Sequence, residues 1–210
     1  MPDIRAVLFD FGGVISTSPF EGFAAYERAN DLPVDFIRQL NATNSDTNAW
    51  ARHERAEMSF DDFCVAYEAE ATTLGHTIDA RSVFASLSGE IRPQMIEAIR
   101  RCKERLRTGL ITNNVASMSE GDGEGNMMRM VDGLFDVVIE SSKTGIRKPD
   151  PRIYEMACEQ LEVEPSAIVF LDDLGINLKP ARAMGMTTIK VLDADQALAD
   201  LEAAVGFPLS

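Results

Sequence analysis

At 210 residues, 45% of them apolar, the chain is long enough for one sizeable domain, or for one domain carrying a smaller insert, and too apolar to be disordered. Thirty-four acidic residues against 20 basic ones give a formal charge of −14, which argues against non-specific attraction to nucleic acid or to an anionic membrane surface; an anionic substrate would need locally concentrated positive charge. With no long apolar run, no signal-peptide pattern, and Cys64, Cys102 and Cys158 far apart without Cys-x-x-Cys spacing, the expectation is a cytoplasmic protein with reduced thiols, no zinc site, and no membrane or nucleic-acid partner.

Residues 5–15 read RAVLFDFGGVI. Residues 6–9 predict a strand apolar on both faces, as in the buried middle of a parallel sheet, and Gly12 and Gly13 let the backbone turn sharply beyond it. Asp10 is thereby delivered to a sheet's carboxyl edge, where open α/β sheets bind ligands, although an isolated Asp-x-Gly-Gly also ends strands for purely local reasons. From about residue 17 to residue 88 strand character disappears, and amphipathic helical patterns cover 20–29, 34–40, 47–57 and 60–74, with a shorter one after Asp79. The fourth has Ser59 as its N-cap, Asp62 three residues on and Gly75 past its end. Phe20, Phe23, Phe60, Phe63 and Tyr67 fall at helical spacing and read as the core of an inserted lobe.

From Pro93 strands alternate with helices. Pro93 opens a helix with Met95, Ile96, Ile99 and Leu106 on its apolar face; 108–114 is a second buried strand, 119–126 a polar, glycine-rich loop that reads as mobile, and 136–142 a third strand. A helix then starts with Asp150 as N-cap and Pro151 at its first position, residues 167–173 and 186–192 are further strands, and residues 196–205 form the last helix. Between those two strands Pro180 must fall in a first turn if it is not to break its helix, which places Asn177 as N-cap and the helix over 178–184. The alternation predicts an α/β protein: a Rossmann-like parallel sheet with helices on both faces plus an inserted helical cap, with 1–16 and 90–210 as core and 17–89 as cap.

Polar residues recur at one kind of place, the carboxyl end of a buried strand or the turn after it. Asp10 ends the first strand, Thr112 and Asn113 the second, and Asp172 and Asp173 the fourth, while Lys148 follows the third. In a parallel sheet these ends converge, so an acid, a hydroxyl, an ammonium and an acid pair surround one small volume. Each has an ordinary structural role available singly; two adjacent acids after AIVFL repel each other, and a cation is the usual remedy. The set suits phosphoryl transfer, in which a carboxylate attacks phosphorus while a divalent cation and polar groups hold the phosphate oxygens.

The order and spacing of these motifs resemble the haloacid dehalogenase-like hydrolase superfamily, over 4–16 and from about residue 91 to the end. RKPDPRIY and FLDDLGINLKPARAMGM are similar to the amino-terminal phosphatase domain of soluble epoxide hydrolase, and FDFGGVI to sugar-phosphate phosphatases. The resemblance implies a hydrolase, specifically a phosphoric monoester hydrolase acting on a small phosphorylated metabolite, with Asp10 as the nucleophile that becomes an aspartyl-phosphate. It further implies Thr112 and Lys148 as catalytic residues, with Thr112, Asn113 and Lys148 expected to bind the substrate, and a Mg²⁺ held by Asp10, the Gly12 carbonyl and Asp173, with Asp172 as a second ligand or an outer partner. A monomer or homodimer is expected. One departure stands out: many family phosphatases carry a general acid two residues after the nucleophile, a group worth ~10²–10⁴-fold in rate, and this chain has Gly12 there.

Two alternatives remain at the level of sequence. A 2-haloacid dehalogenase would use the same aspartate on carbon without a metal, and a phosphate-binding pseudoenzyme would keep the pocket without turnover. Gly12 is compatible with both, whereas the acid pair favours the metal-dependent phosphatase. Substrate choice is expected to come from the lobe, where Trp50, Arg52, His53 and Arg55 share one predicted helix.

Overall fold

The computed structural model describes residues 3–87, 89–114, 131 and 133–209. In chain order, β1 (Ala6–Phe9) leads through a tight π-turn (Phe11–Ile15) into α1 (Pro19–Ala29), α2 (Phe36–Ala42), α3 (Ala49–Glu54), α4 (Phe60–Thr73) and α5 (Ala80–Ala85). There follow α6 (Pro93–Lys103), β2 (Arg107–Thr112), β3 (Val137–Glu140), the single turn α7 (Ser141–Thr144) and α8 (Pro151–Leu161). The chain ends with β4 (Ile168–Asp172), α9 (Gly175–Ala183), β5 (Thr187–Lys190) and α10 (Ala194–Val205). The predicted loop at 119–126 lies outside the described residues.

The described strands form one parallel sheet in the order β3-β2-β1-β4-β5, which puts β1 in the middle and explains why all four of its residues are buried. Side chains alternate across the sheet with period two. Val7 and Phe9 face a core completed by Met95 and Ile99 of α6 and Leu201 of α10, while Ala6 and Leu8 face another completed by Ile153 and Tyr154 of α8 and Leu178 of α9. This is the α/β fold expected from the alternation.

Helices α1 to α5 enclose a hydrophobic cluster of their own, with Phe23, Ile37, Leu40, Phe63, Tyr67 and Val83 at its centre. The chain leaves the sheet region at Ser16 and returns at Ile91, and these two residues pair in an antiparallel bridge. Thr17 N–H donates to the Glu90 carbonyl at 2.9 Å and Arg92 N–H to that of Ile15 at 2.8 Å, so the two connecting strands lie side by side. Among the described residues no helix is long and apolar enough to cross a membrane. Cys64, Cys102 and Cys158 carry free thiols.

Several element boundaries differ from the sequence expectation for identifiable reasons. Helix α2 begins at Phe36 because the buried Glu27 carboxylate accepts the Asp35 and Ile37 N–H groups at 3.0 and 2.8 Å and so caps it from another helix. The third lobe helix starts after Asn48, whose side chain accepts Ala51 N–H at 2.8 Å. Strand β3 stops at Glu140, where Ser141 turns into α7. Asn177 is not an N-cap: α9 starts at Gly175, Pro180 sits inside it, and the Asn177 amide is committed to Asp172.

Candidate active site

The sheet register builds the site. Phe9 pairs with Leu171 of β4, and Asp10 N–H donates to the Leu171 carbonyl at 2.9 Å, so Asp10 stands level with Asp172 on the neighbouring strand. On the other side Phe9 pairs with Leu110, which leaves buried Thr112 at the same edge. Asp10 Oδ1 accepts the N–H of Phe11 at 2.7 Å, fixing the carboxylate at the start of the π-turn. Inside the turn Gly13 has φ of +76°, and a Cβ there would lie 2.2 Å from Asp173 Oδ2; only glycine allows this close approach. Gly12 is different, with ordinary φ of −67° and no clash at an added Cβ, which would meet Pro19 Cδ at an ordinary contact distance of 3.6 Å.

Lys148, 1% exposed, places its ammonium 2.7 Å from Asp10 Oδ1 and 2.8 Å from Asp172 Oδ2. Asp172 is itself immobilised: Leu174 N–H donates to Oδ1 at 2.8 Å, and the Asn177 amide donates to both oxygens at 3.1 Å. Asp173 has a weaker hold, a 3.4 Å bond from the Ser18 hydroxyl. Arg92 braces the turn from the returning strand, its guanidinium donating to the Gly13 carbonyl at 2.8 Å. Asn113 turns to the main chain of Lys148, accepting its N–H at 2.8 Å and donating to its carbonyl at 3.0 Å.

Asp10, Asp172 and Asp173 each offer an oxygen within 4.8 Å of the others, and the Lys148 ammonium bonds the first two of them. Burial works against the Lys148 ammonium, yet Asp10 and Asp172 outweigh it and hold the group above the ordinary lysine range. Burial pushes the Asp10 carboxyl well above its usual range, Lys148 pulls it back, and Asp172 and Asp173 push it up again. Asp173 is pushed up to about 6, first by burial and then by Asp172. The oxygen-only donor set, with the Gly13 cradle closed against Asp173, fits a hard divalent cation of the magnesium kind.

Residues 4–185 match the haloacid dehalogenase-like hydrolase family. The chain belongs to that family. Across 98% of its length it is 36% identical to acyl-CoA dehydrogenase family member 10 of Mus musculus and 32% identical to bifunctional epoxide hydrolase 2 of Sus scrofa, but it spans only 19% and 40% of those proteins. It is also 27% identical to sesquiterpene phosphatase astK of Aspergillus oryzae, with 96% of this chain and 97% of that protein aligned. Among solved structures, a HAD family enzyme of Bacteroides thetaiotaomicron in complex with magnesium and inorganic phosphate superposes over 90% of this chain and 96% of its own, with a TM-score of 0.61; at 15% identity this shows the shared fold.

Within this HAD-like hydrolase the structure brings Asp10, Asp172 and Asp173 together, pairs Lys148 with the first two, and sets Thr112 and the Gly12 turn at the same sheet edge. Sequence reasoning missed Asn177, Ser18 and Arg92. Asn177 had a signal: an amide five residues after an acid that ends a strand, at the first turn of the next helix, lies within reach of that acid. The lobe residues singled out for specificity divide. Trp50 packs edge-on against Phe23 and Phe63 at 5.8 Å, and His53 stacks on Phe63 at 4.5 Å, while Arg52 and Arg55 pair with Glu57.

Proposed function

We propose that this chain is a magnesium-dependent phosphatase acting on a small phosphorylated metabolite through an aspartyl-phosphate at Asp10. The observation that carries the reading is the cluster of three buried or half-buried carboxylates, two of which share the buried ammonium of Lys148. A dehalogenase needs one acid to attack carbon; gathering two more beside it, with one ammonium shared by two of the three, is unfavourable unless a further cation completes the site. The phosphatase name of astK, which aligns over nearly its whole length, supports the same choice.

Asp10, Asp173 and the turn carbonyl of Gly12 would hold Mg²⁺, with Asp172 either a ligand or the outer partner that orients Lys148. The ion would supply charge neutralisation at the attacking carboxylate and the phosphate. The Phe11 and Lys148 bonds both reach Asp10 Oδ1, which leaves Oδ2 to attack phosphorus as the ester oxygen departs with its electron pair. Lys148 spends two of its three donors on Asp10 and Asp172, so the third is available for a phosphate oxygen, with the Thr112 hydroxyl available for another. Attack of water on the aspartyl-phosphate then regenerates Asp10 and releases inorganic phosphate. Gly12 carries no acid for the leaving group, so turnover should favour alcohols that depart readily as anions.

We read residues 17–89 as a cap over a core of 1–16 and 90–210. Its separate aromatic cluster and paired connecting strands support this, as does the ion pair at 2.6 Å between Glu54 of α3 and Arg147, the residue before Lys148. The purified chain should hydrolyse p-nitrophenyl phosphate with magnesium, lose that activity in EDTA, and release no halide from 2-chloropropionate. Metal-independent halide release would overturn the assignment in favour of the dehalogenase.

A further inference from the structure

We propose that Asn113 is a positioning residue for Lys148 and does not bind substrate; its kinetic consequence rests on the phosphatase reading, its structural consequence does not. Lys148 lies in a turn between α7 and α8, outside any helix or strand, so no sheet or helix ladder fixes its main chain. Besides the turn bond from Asp150 N–H to the Arg147 carbonyl at 3.0 Å, it is held by a two-bond clamp across 35 residues: Asn113 Oδ1 accepts the Lys148 N–H at 2.8 Å while Asn113 Nδ2 donates to the Lys148 carbonyl at 3.0 Å. The opposed directions of these bonds define the plane of the carboxamide and the orientation of the Lys148 peptide groups together.

The clamp is anchored at its other end. Asn114, the next residue, donates its N–H to Ser141 Oγ at 3.0 Å and accepts from that hydroxyl at its carbonyl at 3.1 Å, while its side chain donates to Glu140 Oε1 at 2.7 Å. The main chain beyond β2 is therefore tied to the end of β3, and Asn113 passes that rigidity to Lys148. A lysine stem is long and flexible, and its ammonium must meet two carboxylates at 2.7 and 2.8 Å at once. A misplacement of about 1 Å at such a site costs on the order of 10²-fold in rate, so a fixed starting point for the stem has a catalytic effect without touching the phosphate.

Two measurements on the full-length chain test this. In Asn113→Ala, the Lys148 amide should exchange with solvent at least about 10-fold faster by NMR, while the β1 amides keep their protection, since only the clamp has been opened. Unchanged Lys148 exchange would overturn the clamp. With magnesium and p-nitrophenyl phosphate, kcat should fall by roughly 10- to 100-fold with KM within about twofold of wild type. A raised KM with unchanged kcat would mean that Asn113 contacts substrate, which overturns the proposal. If the wild type hydrolyses no phosphate ester, the phosphatase assignment falls alone and the exchange experiment still decides the clamp. Asn113→Ser replaces the alanine variant if that variant does not fold.

Discussion

The sheet edge and the helical lobe bury their polar residues in opposite ways. At the edge, three acidic side chains are gathered within 4.8 Å of one another, and two of them, Asp10 and Asp172, share the one buried ammonium of Lys148. In the lobe, the buried Glu27 and Asn48 carboxylate and amide oxygens accept main-chain N–H groups at a helix start, and the buried Glu54 pairs with Arg147, in an interior that is otherwise aliphatic and aromatic. A buried polar group that closes a helix is explained by the fold. A buried excess of carboxylates is not, and marks the place where a ligand completes the structure.

The largest effects should separate the two regions cleanly. Asp173→Ala should lower turnover by at least about 10³-fold and abolish magnesium binding by calorimetry while the unfolding midpoint in EDTA stays near that of wild type. Phe63→Ala, which removes a fully buried ring stacked on Tyr67 and His53, should cost ~3–5 kcal/mol of stability in denaturant titration yet leave magnesium affinity unchanged in the folded protein. If the two variants fail together in both assays, lobe and edge are not the separable units described here.

A smaller effect sharpens the account of the edge. Gly12 has a conformation open to any residue and room for a side chain, so Gly12→Asp should be accommodated and should raise kcat for an alkyl phosphate, a poor leaving group, by up to ~10²-fold. Gly13→Ala, one residue on, should instead be disruptive, since its Cβ meets Asp173. Equal behaviour of the two variants would contradict the geometry of the turn.

The smallest effect belongs to the lobe. Burial pushes the His53 imidazole below its ordinary pKa, so the unfolded chain binds a proton that the folded chain resists as pH falls through about 6.5. The contribution of His53 to stability should therefore be lost on acidification below that pH and be constant above it, while Asp173, pushed up to about 6, works in the opposite direction. His53→Phe should gain thermal midpoint relative to wild type as pH falls from about 7 to 5; an unchanged difference across that range would show that His53 is not responsible.

The sheet, its central strand and the convergence of Asp10, Thr112, Lys148 and the acid pair were legible because each is announced locally, by an apolar run and the polar residue that ends it. The partners of those groups were not. Lys148 wedged between Asp10 and Asp172, Arg92 on the Gly13 carbonyl and Arg147 on Glu54 join residues 24 to 138 positions apart, and no periodicity encodes them. Asn177 shows the cost of purely local reasoning: an Asn three residues before a proline is a plausible cap, but a buried carboxylate on the adjacent strand end claimed its amide.

The central claim is that Asp10 takes the phosphoryl group. Wild-type protein mixed with magnesium and an aryl phosphate, quenched in acid within milliseconds and digested, should yield the peptide containing Asp10 with one added phosphoryl group, and Asp10→Asn should yield none. Turnover with the adduct on another residue, or Asp10→Asn protein that still hydrolyses the ester at a near-normal rate, would contradict it.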